Sequence, residues 1–207
     1  MIAFLVMIER CHNHGSGKTT LLAALLGCVP PTERIVSVED AGELRPVHPH
    51  VVRLVARPPN VEGAGEVTLR DLVRQALRMR PDRLVVGEVR GGEVCELLAA
   101  LNTGHDGGAG TLHANSPAEV PARLEALAAL GGLSRDALHS QLAAALQLVL
   151  HMRREPTGRR ALSAVGVLER NGEWVRVVPA WERGTGWGPG RERFRILFAQ
   201  RGVRPPC

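Results

Sequence analysis

The segment Gly15-Ser16-Gly17-Lys18-Thr19-Thr20, set between an apolar run and a helix-forming run, constrains this chain more than any other part of it. Ile2-Ala3-Phe4-Leu5-Val6-Met7-Ile8 reads as a buried strand, and Thr20-Leu21-Leu22-Ala23-Ala24-Leu25-Leu26 as a helix ending at Gly27. Strand, glycine loop and helix in that order is the setting in which successive backbone N–H groups and a helix N-terminus hold phosphates. Of the 26 lysine and arginine residues, Lys18 alone is a lysine. A compact ammonium on a flexible stem reaches between β- and γ-phosphates as a point charge, where a planar guanidinium does not fit the same loop. Gly15, Ser16, Gly17 and Thr20 complete the candidate cradle, and the Thr19 hydroxyl is the candidate Mg²⁺ ligand. One position departs from the pattern G-x-x-x-x-G-K-T. Its first glycine falls on His12, within Cys11-His12-Asn13-His14. A Cβ and ring there are expected to hinder the close backbone approach that glycine permits. The pair His12 and His14 has no third ligand nearby and makes a poor metal site.

The chain is long enough for one complete core, or one core with a small appendage. A hydrophobic content of 44% with 23% charged residues is that of a soluble globular protein. Cys11, Cys28, Cys95 and Cys207 show no C-x-x-C spacing, so neither a disulfide framework nor a zinc module is indicated, and a reducing cytoplasm is the expected location. The apolar run at residues 2–8 is far shorter than the ~20 residues that span a bilayer, and nothing frames it as a signal peptide. Net charge is +5 with a pI near 9.8. Much of that excess lies in Arg183, Arg191, Arg193, Arg195, Arg201 and Arg204, within a Gly/Pro-rich stretch, so residues 181–207 read as a flexible tail. With 3% aromatic residues and no tyrosine, the stacking platforms of single-strand binders are largely missing. The basicity points to an acidic contact surface, without sequence-specific nucleic acid.

Strand and helix patterns alternate, which predicts an α/β domain with a mainly parallel sheet. Arg34 to Val38 reads as a strand that delivers Glu39-Asp40-Ala41-Gly42-Glu43 to its carboxyl end, where open α/β sheets bind ligands. Val51 to Ala56 is another strand, and Thr68 caps a helix from Leu69 to Met79 whose Leu69, Leu72, Val73, Ala76 and Leu77 share a face. Pro81 ends it, and Arg83 to Gly87 is a buried strand followed by Glu88. A helix over about Glu93 to Asn102 leads to a glycine-rich loop, Thr103 to Ser116, that feeds a short strand. Helices near 117–130 and 134–147 follow, then a strand near 146–151. Ala161 to Glu169 and Glu173 to Val178 form a hairpin turned at Asn171-Gly172.

The polar residues gather at strand mouths. An apolar strand ending in Glu88, downstream of a phosphate loop, places an acid beside Mg²⁺ or its coordinating water. Glu39, Asp40 and Glu43 form a second acidic group from which a general base for water is drawn. His105 and His113 lie where an imidazole senses the γ-phosphate.

These residues resemble a known family. Ile35 to Arg45, Val51 to Gly65, Leu77 to Glu93, Leu101 to Gly107 and Thr111 to Asn115 look like the CpaF/TadA-type ATPases of tight-adherence pili, within the type II/IV secretion ATPase superfamily. The resemblance runs from about Gly15 to about Arg170. It implies a RecA-like P-loop NTPase core over residues 1–180, with a mainly parallel sheet and a C-terminal β-hairpin. It further implies a cytoplasmic homo-hexamer with ATP between subunits, MgATP hydrolysis as the power source, and an inner-membrane platform protein as partner. Gly15 to Thr20 match the Walker A loop and Glu88 the Walker B acid. Glu39, Asp40 and Glu43 match the Asp box, with Glu43 the better candidate for activating water, and His105 and His113 match the His box. Arg57 matches an arginine that faces a neighbouring nucleotide site. The family loop has glycine-glycine-threonine where this chain has His12-Asn13-His14, and the family's N-terminal domain, which supplies arginines over the phosphates, has no counterpart here. Two alternatives stay open: the loop tolerates bulky residues at His12-Asn13-His14, or the first dozen or so residues are not the natural ones, through a misplaced start or a frameshift. Two other readings are a hydrolysis-deficient nucleotide-binding or scaffold remnant and a RecA-like DNA motor.

Overall fold

A computed structural model of the protein describes the backbone of residues 4–9 and, in full, residues 15, 17–103 and 107–204. Its centre is a nine-stranded sheet in the order β3-β2-β4-β5-β1-β6-β7-β8-β9. These strands are β1 (Phe4–Glu9), β2 (Ile35–Glu39), β3 (Val51–Val55), β4 (Arg83–Val86), β5 (Gly108–His113), β6 (Leu148–Arg154), β7 (Arg160–Asn171), β8 (Trp174–Glu182) and β9 (Gly186–Trp187). From β3 to β6 every neighbouring pair is parallel. From β6 onward pairing is antiparallel.

Side chains alternate across the sheet, and each face has its own core. Leu84 and Val86 face one side with Val36 and Val38, against helices α2 (Leu69–Arg78), α3 (Glu93–Asn102), α4 (Val120–Leu130) and α5 (Arg135–Ala145). Val85 points the other way with Ile35 and Ala109, toward Leu22 and Leu26 of α1 (Lys18–Gly27). Burial on both faces explains why β2 is buried at all five positions, as expected of a central parallel strand. At α2, Thr68 accepts the Asp71 N–H while the Asp71 carboxylate accepts the Thr68 N–H, a reciprocal cap that fixes where the helix starts.

The antiparallel half follows the predicted hairpin, with one shift. Asn171 pairs with Trp174, so the two turn residues are Gly172 and Glu173, and Gly172 supplies φ 65. The glycine-rich stretch read as a loop into a short strand holds the six residues of β5, at the middle of the sheet between β4 and β1.

The expectation of a flexible tail from residue 181 is corrected. Up to Arg204 the chain carries the end of β8, β9 and a helix α6 (Arg191–Ala199). Phe194 and Leu197 of α6 are buried against Leu148, Val165, Val167, Val178 and Ala180, and Phe194 packs tilted on Phe198 at 4.7 Å between ring centres. Phe194, Leu197 and Phe198 have the i, i+3, i+4 spacing of one helix face, and burying that face outweighs a composition rich in glycine and arginine.

Candidate active site

Because β1, β2, β4 and β5 are parallel, their carboxyl ends open on one edge of the sheet, and the segments that follow them meet there. They enclose a cleft of about 430 Å³. Lys18 and Thr19 enter it from the start of α1, Glu39 to Leu44 from the end of β2, Gly87 and Glu88 from β4, and Thr111 and His113 from β5.

At α1, Gly17 occupies the N-cap with φ 95 and ψ 16, and no side chain caps the helix there. A helix N-terminus that opens on a cleft favours an anion there, in the direction of the helix dipole. Lys18 is 8% exposed, a low value for an ammonium side chain.

Glu88 is the hub. Arg90 donates to its Oε2 at 2.7 Å, and His113 Nε2 stands 2.9 Å from its Oε1. Lys18 Nζ lies 3.5 Å from the same Nε2. One ring nitrogen cannot donate to Glu88 and accept from Lys18 at once, so the shorter contact is the hydrogen bond and the longer a close approach of charge. Burial pushes the Glu88 carboxyl up, but the Arg90 hydrogen bond and the nearby His113, Arg90 and Lys18 charges outweigh it and hold the group below the usual carboxylate range. Arg90 is raised by the same pairing.

Two buried acids hold the loops. Glu39, 4% exposed, accepts backbone N–H groups of Glu43 at 2.9 Å and Leu44 at 2.8 Å through one oxygen. Gly87 makes room for it, since a Cβ there would stand 2.7 Å from Glu39 Cγ. Glu93, 6% exposed, accepts the N–H groups of Arg90 at 2.7 Å and Gly91 at 2.9 Å and so fixes the segment after Glu88. The Thr111 hydroxyl donates to the Gly87 carbonyl, tying β5 to the same turn.

Residues 12–169 match the model of the type II/IV secretion system protein family. The chain belongs to that family. It is 66% identical over 200 residues to a putative conjugal transfer protein of Mycobacterium tuberculosis, covering 97% of this chain and 56% of that protein. It is 49% identical over 104 residues to the type IV secretion system protein PtlH of Bordetella pertussis, covering 49% of this chain and 30% of PtlH. Among solved structures, the VirB11 ATPase of the Brucella suis type IV secretion system, in complex with sulphate, aligns with a TM-score of 0.68 at 30% identity, over 79% of this chain and 48% of the other. The pilus retraction motor PilT with bound ADP aligns with a TM-score of 0.62 at 27% identity, over 83% and 48%. The chain thus has the α/β fold of the secretion ATPases, and it spans about half the length of the proteins it matches.

Of the residues that the sequence nominates in this secretion-family chain, Gly15, Lys18, Thr19, Glu39, Asp40, Glu43, Glu88 and His113 line the one cleft. Gly17 caps α1 beside it. Ser16 and His105 lie outside the described residues, as do His12, Asn13 and His14. Three nominated residues sit in settings of their own. Glu39, a candidate for activating water, lines the cleft but is buried, and one of its oxygens accepts two backbone N–H groups, which braces the loop that carries Glu43. Thr20 is exposed on α1 and does not line the cleft. Arg57, matched by resemblance to an arginine that faces a neighbouring nucleotide site, lies away from this cleft in a pocket with Asp40, Glu66 and Arg90, where its Nε donates to the Gly65 carbonyl at 2.8 Å. Arg90, Thr111 and Glu93 went unnominated. For Arg90 the signal was its spacing of two from Glu88, and for Glu93 its position in the first turn of a helix.

Proposed function

We propose that the cleft binds MgATP and hydrolyses it, and that the chain is the RecA-like P-loop motor part of a type II/IV secretion, tight-adherence pilus or conjugal-transfer machine. The observation that carries this reading is the polar path from Lys18 through His113 to Glu88 and Arg90 at the start of α1, whose N-cap is a glycine. Glycines at 15 and 17, the lysine and the adjacent hydroxyl of Thr19 fit a magnesium–polyphosphate, with Lys18 and the first-turn N–H groups as phosphate donors. Thr19, and Glu88 through water, would hold Mg²⁺, which would supply charge neutralisation on the transferred phosphoryl group.

Glu43 is the acid we assign to orienting water, because it lines the cleft while its backbone is held by Glu39. His113 is placed to report on the γ-phosphate to Glu88 through their hydrogen bond. In keeping with the CpaF/TadA-type resemblance, the working unit is a homo-hexamer on the inner face of a membrane, driving a membrane-embedded partner, with Arg57 directed to a neighbouring subunit. Among the described residues no helix is long and apolar enough to cross a membrane. Titration with MgATP, followed by phosphate release, tests the reading. Saturable binding lost in Lys18→Ala, with turnover lost in Glu88→Gln, is the expected result. Binding without turnover would favour a scaffold role, and hydrolysis appearing only with DNA would favour a DNA motor.

A further inference from the structure

Sheet topology brings another arginine to the phosphate loop. β6 pairs with β1 on one side and β7 on the other, so the first residue of β7, Arg160, starts at the edge of the sheet where β1 and β6 end. Its side chain lies against Gly17 and Gly15. A Cβ built on Gly17 would stand 3.5 Å from Arg160 Cβ and 3.1 Å from its Cδ, and one built on Gly15 would stand 3.5 Å from a terminal guanidinium nitrogen. The stem therefore crosses Gly17, and the guanidinium reaches Gly15, which lines the cleft. With φ 95 at Gly17 and 81 at Gly15, both glycines lie in the left-handed region, so a side chain at either is strained and would also press on the arginine.

Charge makes this placement informative. The cleft is lined by the carboxylates Glu39, Asp40, Glu43 and Glu88, with Lys18 and Arg90 as its cations. Arg90 is committed to Glu88, and Lys18 faces the same acid across His113. Arg160 is exposed, and it enters none of the ion pairs found among the described residues. A polyphosphate entering this acidic cleft meets a guanidinium fork at the Gly15 end of its loop, with geometry suited to two parallel hydrogen bonds to phosphate oxygens.

We propose that Arg160 is a nucleotide-binding residue supplied in cis, its guanidinium donating to phosphate oxygens at the Gly15 end of the loop. This rests on the nucleotide-binding reading of the cleft. Since β7 runs on into the antiparallel half of the sheet, the same contact ties that half to an occupied phosphate loop.

Affinities for MgATP and MgADP, measured on the unmodified chain and on Arg160→Ala, Arg160→Lys and Lys18→Ala, test it, together with thermal melting in the absence of nucleotide. Arg160→Ala is expected to weaken both nucleotides by roughly tenfold to a hundredfold, the loss of a charge-assisted hydrogen bond, and to flatten the salt dependence of binding. Arg160→Lys should recover part of the affinity, and ligand-free melting should not move, because the side chain is exposed. Unchanged affinity in Arg160→Ala alongside lost affinity in Lys18→Ala would overturn the role of Arg160 and leave the reading of the cleft intact. A lowered ligand-free melting temperature that accounts for the weakening, with no recovery by lysine, would also overturn it. If the unmodified chain binds neither nucleotide, both readings fall.

Discussion

The Glu39 carboxylate accepts the backbone N–H of Glu43 at 2.9 Å, so the buried acid of this pair positions the exposed one. Two acids four residues apart thereby have different tasks. Replacing Glu39 with alanine strands the N–H groups of Glu43 and Leu44 and is expected to cost about 1–3 kcal/mol of stability, along with most of any turnover, because the loop carrying Glu43 loses its anchor. Glu43→Ala removes an exposed side chain, so stability should stay within about 0.5 kcal/mol while turnover falls. Urea melts and phosphate release on the two variants separate these outcomes, and equal melting of both would reject the division of labour.

The acid limb of stability should carry a contribution from Glu88. Its carboxyl is lowered in the folded protein because the Arg90 hydrogen bond and the charges of His113, Arg90 and Lys18 overcome burial. A depressed folded-state value means that the contribution is fully present above the unfolded-state pKa and is lost as pH falls through the folded one. Stability of the unmodified chain is thus expected to decline through and below the usual carboxylate range, and Glu88→Gln should decline less steeply there. Urea midpoints of the two proteins running parallel across that range would contradict the assignment.

Helix α6 should matter to the fold. Leu197 is 2% exposed among apolar residues of β6, β7 and β8, and Leu197→Ala is expected to destabilise by about 2–4 kcal/mol, readable in chemical melts. A change below about 0.5 kcal/mol would mean that the helix is dispensable.

Much of this architecture was legible before any coordinates. Apolar runs marked β2 and β4, and the helix expected after Gly91 and Gly92 is α3, Glu93–Asn102. The cleft was legible too, because parallel strands put their carboxyl ends on one edge, so residues that follow strands are forced together. What escaped has identifiable causes. The glycine- and arginine-rich composition of residues 181–204 masks the short apolar stripe of α6. The acids Glu39 and Glu88 look alike in sequence, and only the backbone donors around Glu39 separate brace from hub. Arg160 reaches the loop through the pairing of β6 with β1, a contact between residues far apart in the chain that no local pattern announces.

The central claim is that Lys18 and the start of α1 bind the phosphates of a nucleotide. The most direct measurement is the equilibrium affinity of the unmodified chain and of Lys18→Ala for MgATP under identical salt. We expect saturable binding by the first and a loss of at least about a hundredfold in the second, since removing a charge-assisted phosphate contact and the positive charge itself costs several kcal/mol. Equal affinities, or no saturable binding by the unmodified chain, would contradict the account.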